Sequence, residues 1–299
     1  MKEVFFSLAF IFCCCMCKAN KIDSLNTDED VIRFIKPLLQ EKFKVDQLDI
    51  TFSSPGNVTC KNVSDHENLK KWSKRDFNND GLTDLFLNIY QSAEMPMLLV
   101  IIAEKNNSYK IINLNQTRSN CEFGYTDKKT NTPIIILSRK EHLTQKKDTI
   151  TTDTLQYLDL TGSFIELKKT HPQYNIENIE FSTDHCFGMC PVFSLTIDEK
   201  GTANYNAIDY DPQQGKFKAV LSTSTKDSLF ELLNDIDFAN LKDNYKVAWT
   251  DQQTAILKVT YNDGEIKTIN DYGMKGSFSL ETLYDMLLNL RGTQQWEKQ

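Results

Sequence analysis

The chain has 299 residues, 40% of them hydrophobic and 25% charged, with a formal net charge of −7. That length suits two domains of about 100–150 residues, and the balance is ordinary for a soluble globular protein. No dense Lys/Arg run offsets the acidity, which argues against a nucleic-acid partner.

Behind Lys2, Val4 to Met16 is an almost unbroken apolar run. It is too short to span a bilayer, which takes about 18–20 apolar residues, but it fits the apolar region of an export signal. Residues 1–19 are therefore expected to be a signal peptide. Cys17-Lys18-Ala19 offers an ordinary cleavage site, whereas Cys13, Cys14, Cys15 and Cys17 suggest a lipoprotein signal, with an acylated cysteine as a lipid anchor. Beyond this segment the cysteines are Cys60, Cys121, Cys186 and Cys190. An even number in an exported chain favours disulfides. Four cysteines allow three pairings, and the short spacing favours Cys186–Cys190, leaving Cys60–Cys121.

In chain order, Thr27 followed by Asp28, Glu29 and Asp30 reads as a capped helix start. Val31, Phe34, Ile35, Leu38 and Leu39 recur at helical spacing, with Pro37 expected to kink the helix or begin a new turn. Strands are expected at Gln47–Phe52, Thr83–Tyr90, Met97–Glu104, Tyr109–Leu114, Pro133–Ser138 and Leu155–Leu160, with Glu141–Asp153 as a polar loop. Lys168–Asn175 loses periodicity and contains a proline. The expected layout is a β-rich domain at 20–167, a linker at 168–175, an α+β domain at 176–292 and a tail at 293–299.

In the second half, Ile176–Ser182, Val192–Asp198 and Thr202–Asp209 read as strands, and Lys216–Leu221 as a possible fourth. A helix capped by Ser224 or Thr225 follows. A hairpin comes next, turning at Asn262-Asp263-Gly264, and a last helix begins near Ser279. Asp235 and Asp237 read as a solvated edge. The fold class is α+β: a helix and a β-rich unit, then an antiparallel sheet packed with two helices in the order ββ(β)αββα.

Two stretches could carry chemistry. Asp76, Asn78 and Asp80 occupy positions 1, 3 and 5 of a D-x-N-x-D-G loop; Leu82 can offer its carbonyl at position 7, and Asp84 sits at position 9. Hard oxygen ligands at alternate positions suit Ca²⁺. Position 12 is Leu87, and a strand follows, so this loop resembles the calcium loops of integrin-type FG-GAP repeats and not an EF-hand. With a single copy a propeller is not expected.

The second stretch is Cys186-Phe187-Gly188-Met189-Cys190-Pro191. A short-range disulfide is one reading. A copper or redox site built from His185, Cys186, Met189 and Cys190 is another, since these are soft or borderline ligands. C-x3-C-P occurs in copper-delivering thioredoxin-like proteins of the SCO type, but here it runs into a strand and not a helix. HCFGMCPVFSLTIDEKGTANY and the later NDGEIKTINDYG resemble a family of secreted bacterial domains of unknown function, over about residues 174–291. The resemblance implies an α+β fold and export, and no activity. Location is then expected to be periplasmic, outer-membrane-anchored or extracellular in a Gram-negative-type bacterium. G-x-S-x-G, H-E-x-x-H and P-loop motifs are missing from the sequence. The expectation is a non-enzymatic module that binds a protein or glycan beside Cys186–Pro191 and the 271–273 turn, with thiol or copper handling as the alternative.

Overall fold

Thr27 starts the first helix, α1 (Asp28–Phe43), through a reciprocal box. Its Oγ1 accepts from the Asp30 N–H at 3.1 Å, and the Asp30 carboxylate accepts from the Thr27 N–H at 3.1 Å. Both orphan donors at the helix start are thereby satisfied. The helix continues through Pro37. These and the following details come from a computed structural model, which describes residues 20–52, 70–91, 95–116, 121–127, 132–144 and 147–299. The expected signal segment, and Cys60 with it, lies outside the described residues.

Among the described residues the protein is a largely β, mixed α+β fold with three α-helices and mainly antiparallel sheets. The first sheet joins β1 (Ile50–Thr51), β2 (Trp72–Arg75), β3 (Asp84–Gln91), β4 (Met95–Ala103) and β5 (Tyr109–Asn113). Its central strands are apolar on both faces because both faces are covered. Leu85, Leu87, Ile89, Leu99 and Ile101 meet Val31, Ile35 and Leu39 of α1. Phe86, Leu98, Val100 and Ile102 face the opposite way, into a cluster with Ile135, Leu137, Leu155 and Phe164. Those residues belong to a second sheet, β6 (Glu122–Thr126), β7 (Ile134–Thr144), β8 (Lys147–Leu158) and β9 (Ser163–Glu166), paired in that order.

The expected loop at Glu141–Asp153 is instead the far end of the β7–β8 hairpin. The ladder runs through pairs such as Glu141–Thr149 and Leu137–Asp153. Backbone pairing needs no apolar side chains, and the β-branched threonines at 149, 151, 152 and 154 suit an extended chain. β6 and β9 have no counterpart among the expected strands.

The third sheet is an eight-stranded layer in the order β14-β16-β15-β10-β11-β12-β13-β17. Its strands are β10 (Ile176–Thr183), β11 (Val192–Asp198), β12 (Thr202–Asp209), β13 (Gly215–Val220), β14 (Asn244–Lys246), β15 (Thr254–Tyr261), β16 (Glu265–Tyr272) and β17 (Glu297–Lys298). Helices α2 (Thr223–Asp235) and α3 (Phe278–Thr293) cover one face. Leu229, Leu232, Leu233, Leu280, Leu283, Tyr284 and Leu287 pack there on Phe181, Phe193, Leu195, Tyr205 and Leu257. Each such side chain contributes about 1.5–3 kcal/mol of burial. Four strands precede α2, and β14 and β17 add short edges. The cap of α2 is Ser222, whose Oγ accepts from the Thr225 N–H at 3.1 Å, two or three residues before the expected position.

Lys168–Asn175 has no helix or strand, yet it is pinned. The Tyr174 N–H donates to the Asn234 side chain at 2.9 Å and its hydroxyl to Asp237 at 2.8 Å. Burial, and then the Asp237 carboxylate, push the Tyr174 phenol up to about 12. Asp237 is therefore a buried acceptor and not the solvated edge expected of it.

Candidate functional site

Antiparallel pairing brings four loops to one end of the eight-stranded sheet: residues 184–191, 210–214, 247–253 and 273–277. The 184–191 loop holds the expected motif. The sulfurs of Cys186 and Cys190 lie at disulfide distance, with their Cα atoms 5.8 Å apart. Between them Phe187 is 89% exposed and Met189 85% exposed.

This tip is anchored to the 251–254 segment and at its base. The Phe187 N–H donates to the Asp251 carbonyl at 3.2 Å, and the Asp184 N–H to that of Thr254 at 3.2 Å. The Thr254 N–H donates to Asp184 Oδ1 at 2.8 Å. The Gln253 amide donates to the carbonyls of Asp184 (2.9 Å) and Pro191 (2.7 Å). The Thr183 hydroxyl donates to the Pro191 carbonyl at 2.7 Å. His185 Nε2 stands 3.4 Å from Asp209 Oδ2 on β12.

Residues 271–273 brace this arrangement. The Asp271 side chain is buried, its Oδ2 accepting from the Gly276 N–H at 2.8 Å, and burial raises its pKa. The Tyr272 hydroxyl accepts from the Gln252 N–H at 3.1 Å, and the Gly273 N–H donates to the Gln253 carbonyl at 2.8 Å. Gly273 has φ +98°, and a Cβ there would meet Val247 at 2.4 Å, so no other residue fits. The path runs from Tyr272 and Gly273 through Gln252 and Gln253 to the tip. Gln253, Asp209 and Asp251 were not among the expected site residues. They lie 18 to 62 residues beyond the end of the motif, and no spacing rule links them to it.

The Asp76–Asp84 loop joins β2 to β3. Asp76 accepts from the N–H groups of Asp80 (3.1 Å) and Gly81 (2.9 Å). Asn78 Oδ1 accepts from the Asp80 N–H at 3.3 Å, and Asp80 Oδ1 from that of Leu82 at 2.8 Å. Asn79 and Gly81 take the left-handed region, with φ of 56° and 86°. The loop is thus wound around the oxygens of residues 76, 78 and 80. Asp84 is fully buried, its oxygens accepting from Phe77 (2.8 Å) and Ala103 (2.9 Å). Burial, with added repulsion from Asp76 and Asp80, pushes its carboxyl up to about 7. Among the described residues no three His, Cys, Asp or Glu side chains form a metal-holding group by themselves; a cation here would also need Asn78 and the Leu82 carbonyl. Cys121 is buried.

Residues 177–291 match a family model described as Domain of unknown function (DUF6438). No curated protein and no solved structure matches the chain. Among the described residues no helix is long and apolar enough to cross a membrane.

Proposed function

We propose that this chain is an exported protein of the bacterial envelope that works by binding and not by catalysis, with the stapled tip at 184–191 as its contact surface. One observation carries the reading. Two large apolar side chains, Phe187 and Met189, are held almost wholly in solvent by a loop hydrogen-bonded to the 251–254 segment and at its base. Holding apolar area in water forgoes about 25 cal/mol per Å², and a fixed loop loses little further entropy when a partner covers it. Rigid apolar side chains of this kind are common at the centres of interfaces.

In this reading 20–167 and 176–292 are two domains, and the export signal or lipid anchor precedes them. A Ca²⁺ ion held by Asp76, Asn78, Asp80, the Leu82 carbonyl and Asp84 would pin the β2–β3 turn. The inward-facing oxygens of the loop and the crowded charge on Asp84 support it. Thiol or copper handling through His185, Cys186, Met189 and Cys190 would require the two cysteines to be reduced.

The test is binding of the purified full chain to envelope fractions of the producing cell, with Phe187→Ala/Met189→Ala as the variant. The variant is expected to lose at least about ten-fold in affinity with an unchanged melting profile. Undiminished binding would remove the tip from the contact surface.

A further inference from the structure

We infer that the partner of the tip is a protein surface carrying lysine or arginine around an apolar pocket. This rests on the tip being the contact surface. The inference comes from which charges share that end of the sheet. The segments 184–191, 209–214 and 247–253 contain Asp184, Asp209, Asp211 and Asp251 and neither lysine nor arginine. Asp211 is taken up internally, by Arg291 at 2.9 Å and the Tyr205 hydroxyl. Asp184, Asp209 and Asp251 remain at the surface around Phe187 and Met189.

Of the basic groups toward that end of the sheet some are paired, while Lys246 at the end of β14 and Lys216 at the start of β13 flank it exposed. Lys258 binds Glu180 at 2.8 Å, Lys275 pairs with Glu281, and Lys216 and Lys218 stand on β13 toward the sheet edge. His185 faces Asp209. Several exposed apolar side chains share this end, whereas Val220 and Ile266 stand at the opposite end of the sheet. Among the described residues, Ile208, Tyr210 and Ile256 join Phe187 and Met189 there, on the ends of β12 and β15 nearest the tip.

An apolar knob inside an acidic rim is complementary to an apolar pocket inside a basic rim. The rim would steer the encounter, and the two side chains would hold the complex. The same rim opposes a phospholipid surface, whose anionic phosphates would meet three aspartates as the side chains entered.

The experiment places the photo-crosslinker p-benzoylphenylalanine at Phe187 of the full chain in producing cells, with Glu199, in the turn at the opposite end of the sheet, as the control position. Adducts are mapped by mass spectrometry. The expected adduct is a protein segment with lysine or arginine flanking apolar residues. A synthetic copy of that segment should bind the chain about ten-fold or more weaker at about 500 mM than at about 50 mM NaCl. Asp209→Asn/Asp251→Asn should flatten that dependence. Adducts to lipid, or to an acidic or neutral segment, would overturn the partner chemistry while leaving the tip as a contact surface. Labelling no stronger than at Glu199 would overturn the contact-surface reading, and this inference with it.

Discussion

Glu166 closes the N-terminus of a helix that begins more than a hundred residues later. Its Oε1 accepts from the Phe278 N–H at 2.7 Å; its Oε2 accepts from the Ser279 N–H at 2.9 Å and from the Ser279 hydroxyl. Ser277 adds a local cap, its Oγ accepting from the Leu280 N–H at 3.1 Å. Three of the free donors at the start of α3 are thus satisfied, two of them by a carboxylate at the positive end of the helix dipole.

Replacing that carboxylate should be felt as lost stability. Glu166→Ala is expected to cost about 1–2 kcal/mol, read as a lower urea midpoint. Glu166→Gln keeps one acceptor oxygen and should cost less than Glu166→Ala. Equal midpoints for all three chains would show that the contact contributes nothing.

Calcium should raise the melting temperature of the full chain, and EGTA should reverse the rise. At calcium about 100-fold above the dissociation constant the gain is about 2.7 kcal/mol. Asp80→Asn should reduce it strongly by removing a charged ligand. A melting profile indifferent to calcium would leave the loop as a hydrogen-bonded turn.

The Cys186–Cys190 link closes a very short ring. The chain-entropy account gives about 2 kcal/mol for a ring of this size. Cys186→Ser/Cys190→Ser should therefore lower the urea midpoint by that order, and the native link should persist in mild glutathione buffer. Rapid exchange with glutathione, followed by copper uptake on His185 and Met189, would favour the thiol or copper reading instead.

Glu122 supplies a pH dependence. It is buried, and burial pushes its carboxyl from 4.5 up to about 7, against the opposing effects of Asn115 and Arg139. Because the folded chain holds this proton more tightly than the unfolded one, the contribution of Glu122 to stability is greatest below about 4.5. It falls as pH rises toward 7 and levels off above that. The full shift corresponds to about 3 kcal/mol. Glu122→Gln should flatten the slope of urea stability between those limits. Asp84 acts in the same direction, so the slope should shrink and not vanish. An unchanged slope in the variant would show that Glu122 does not titrate there.

The C-terminal hairpins were legible in the sequence because their turns are chemically marked. Asn262, Asp263 and Gly264 all take positive φ, and the strands around them alternate buried and open residues. β3 and β4 were legible as apolar runs, though nothing in them says that α1 takes one face and β7 and β8 the other. The β7–β8 extension was hidden because its pattern is polar. The stapled tip announced itself through two cysteines, but the groups that hold and surround it are set by strand order. Asp209 reaches His185 because β12 pairs with β11, and Gln253 reaches Pro191 because β15 lies beside β10.

At Glu166 the segment matched by the family model and the packed unit part company. The family segment starts at residue 177, after Ile165 and Glu166, yet Ile165 is buried in the core of the eight-stranded sheet and Phe278 in the cluster shared with β7 and β8. Residues 177–291 taken alone would keep the local Ser277 cap of α3 but lose the Glu166 cap and the cover over Phe278. In this chain the strand before the matched segment therefore supplies both the Glu166 acceptor and part of the apolar surroundings of Phe278.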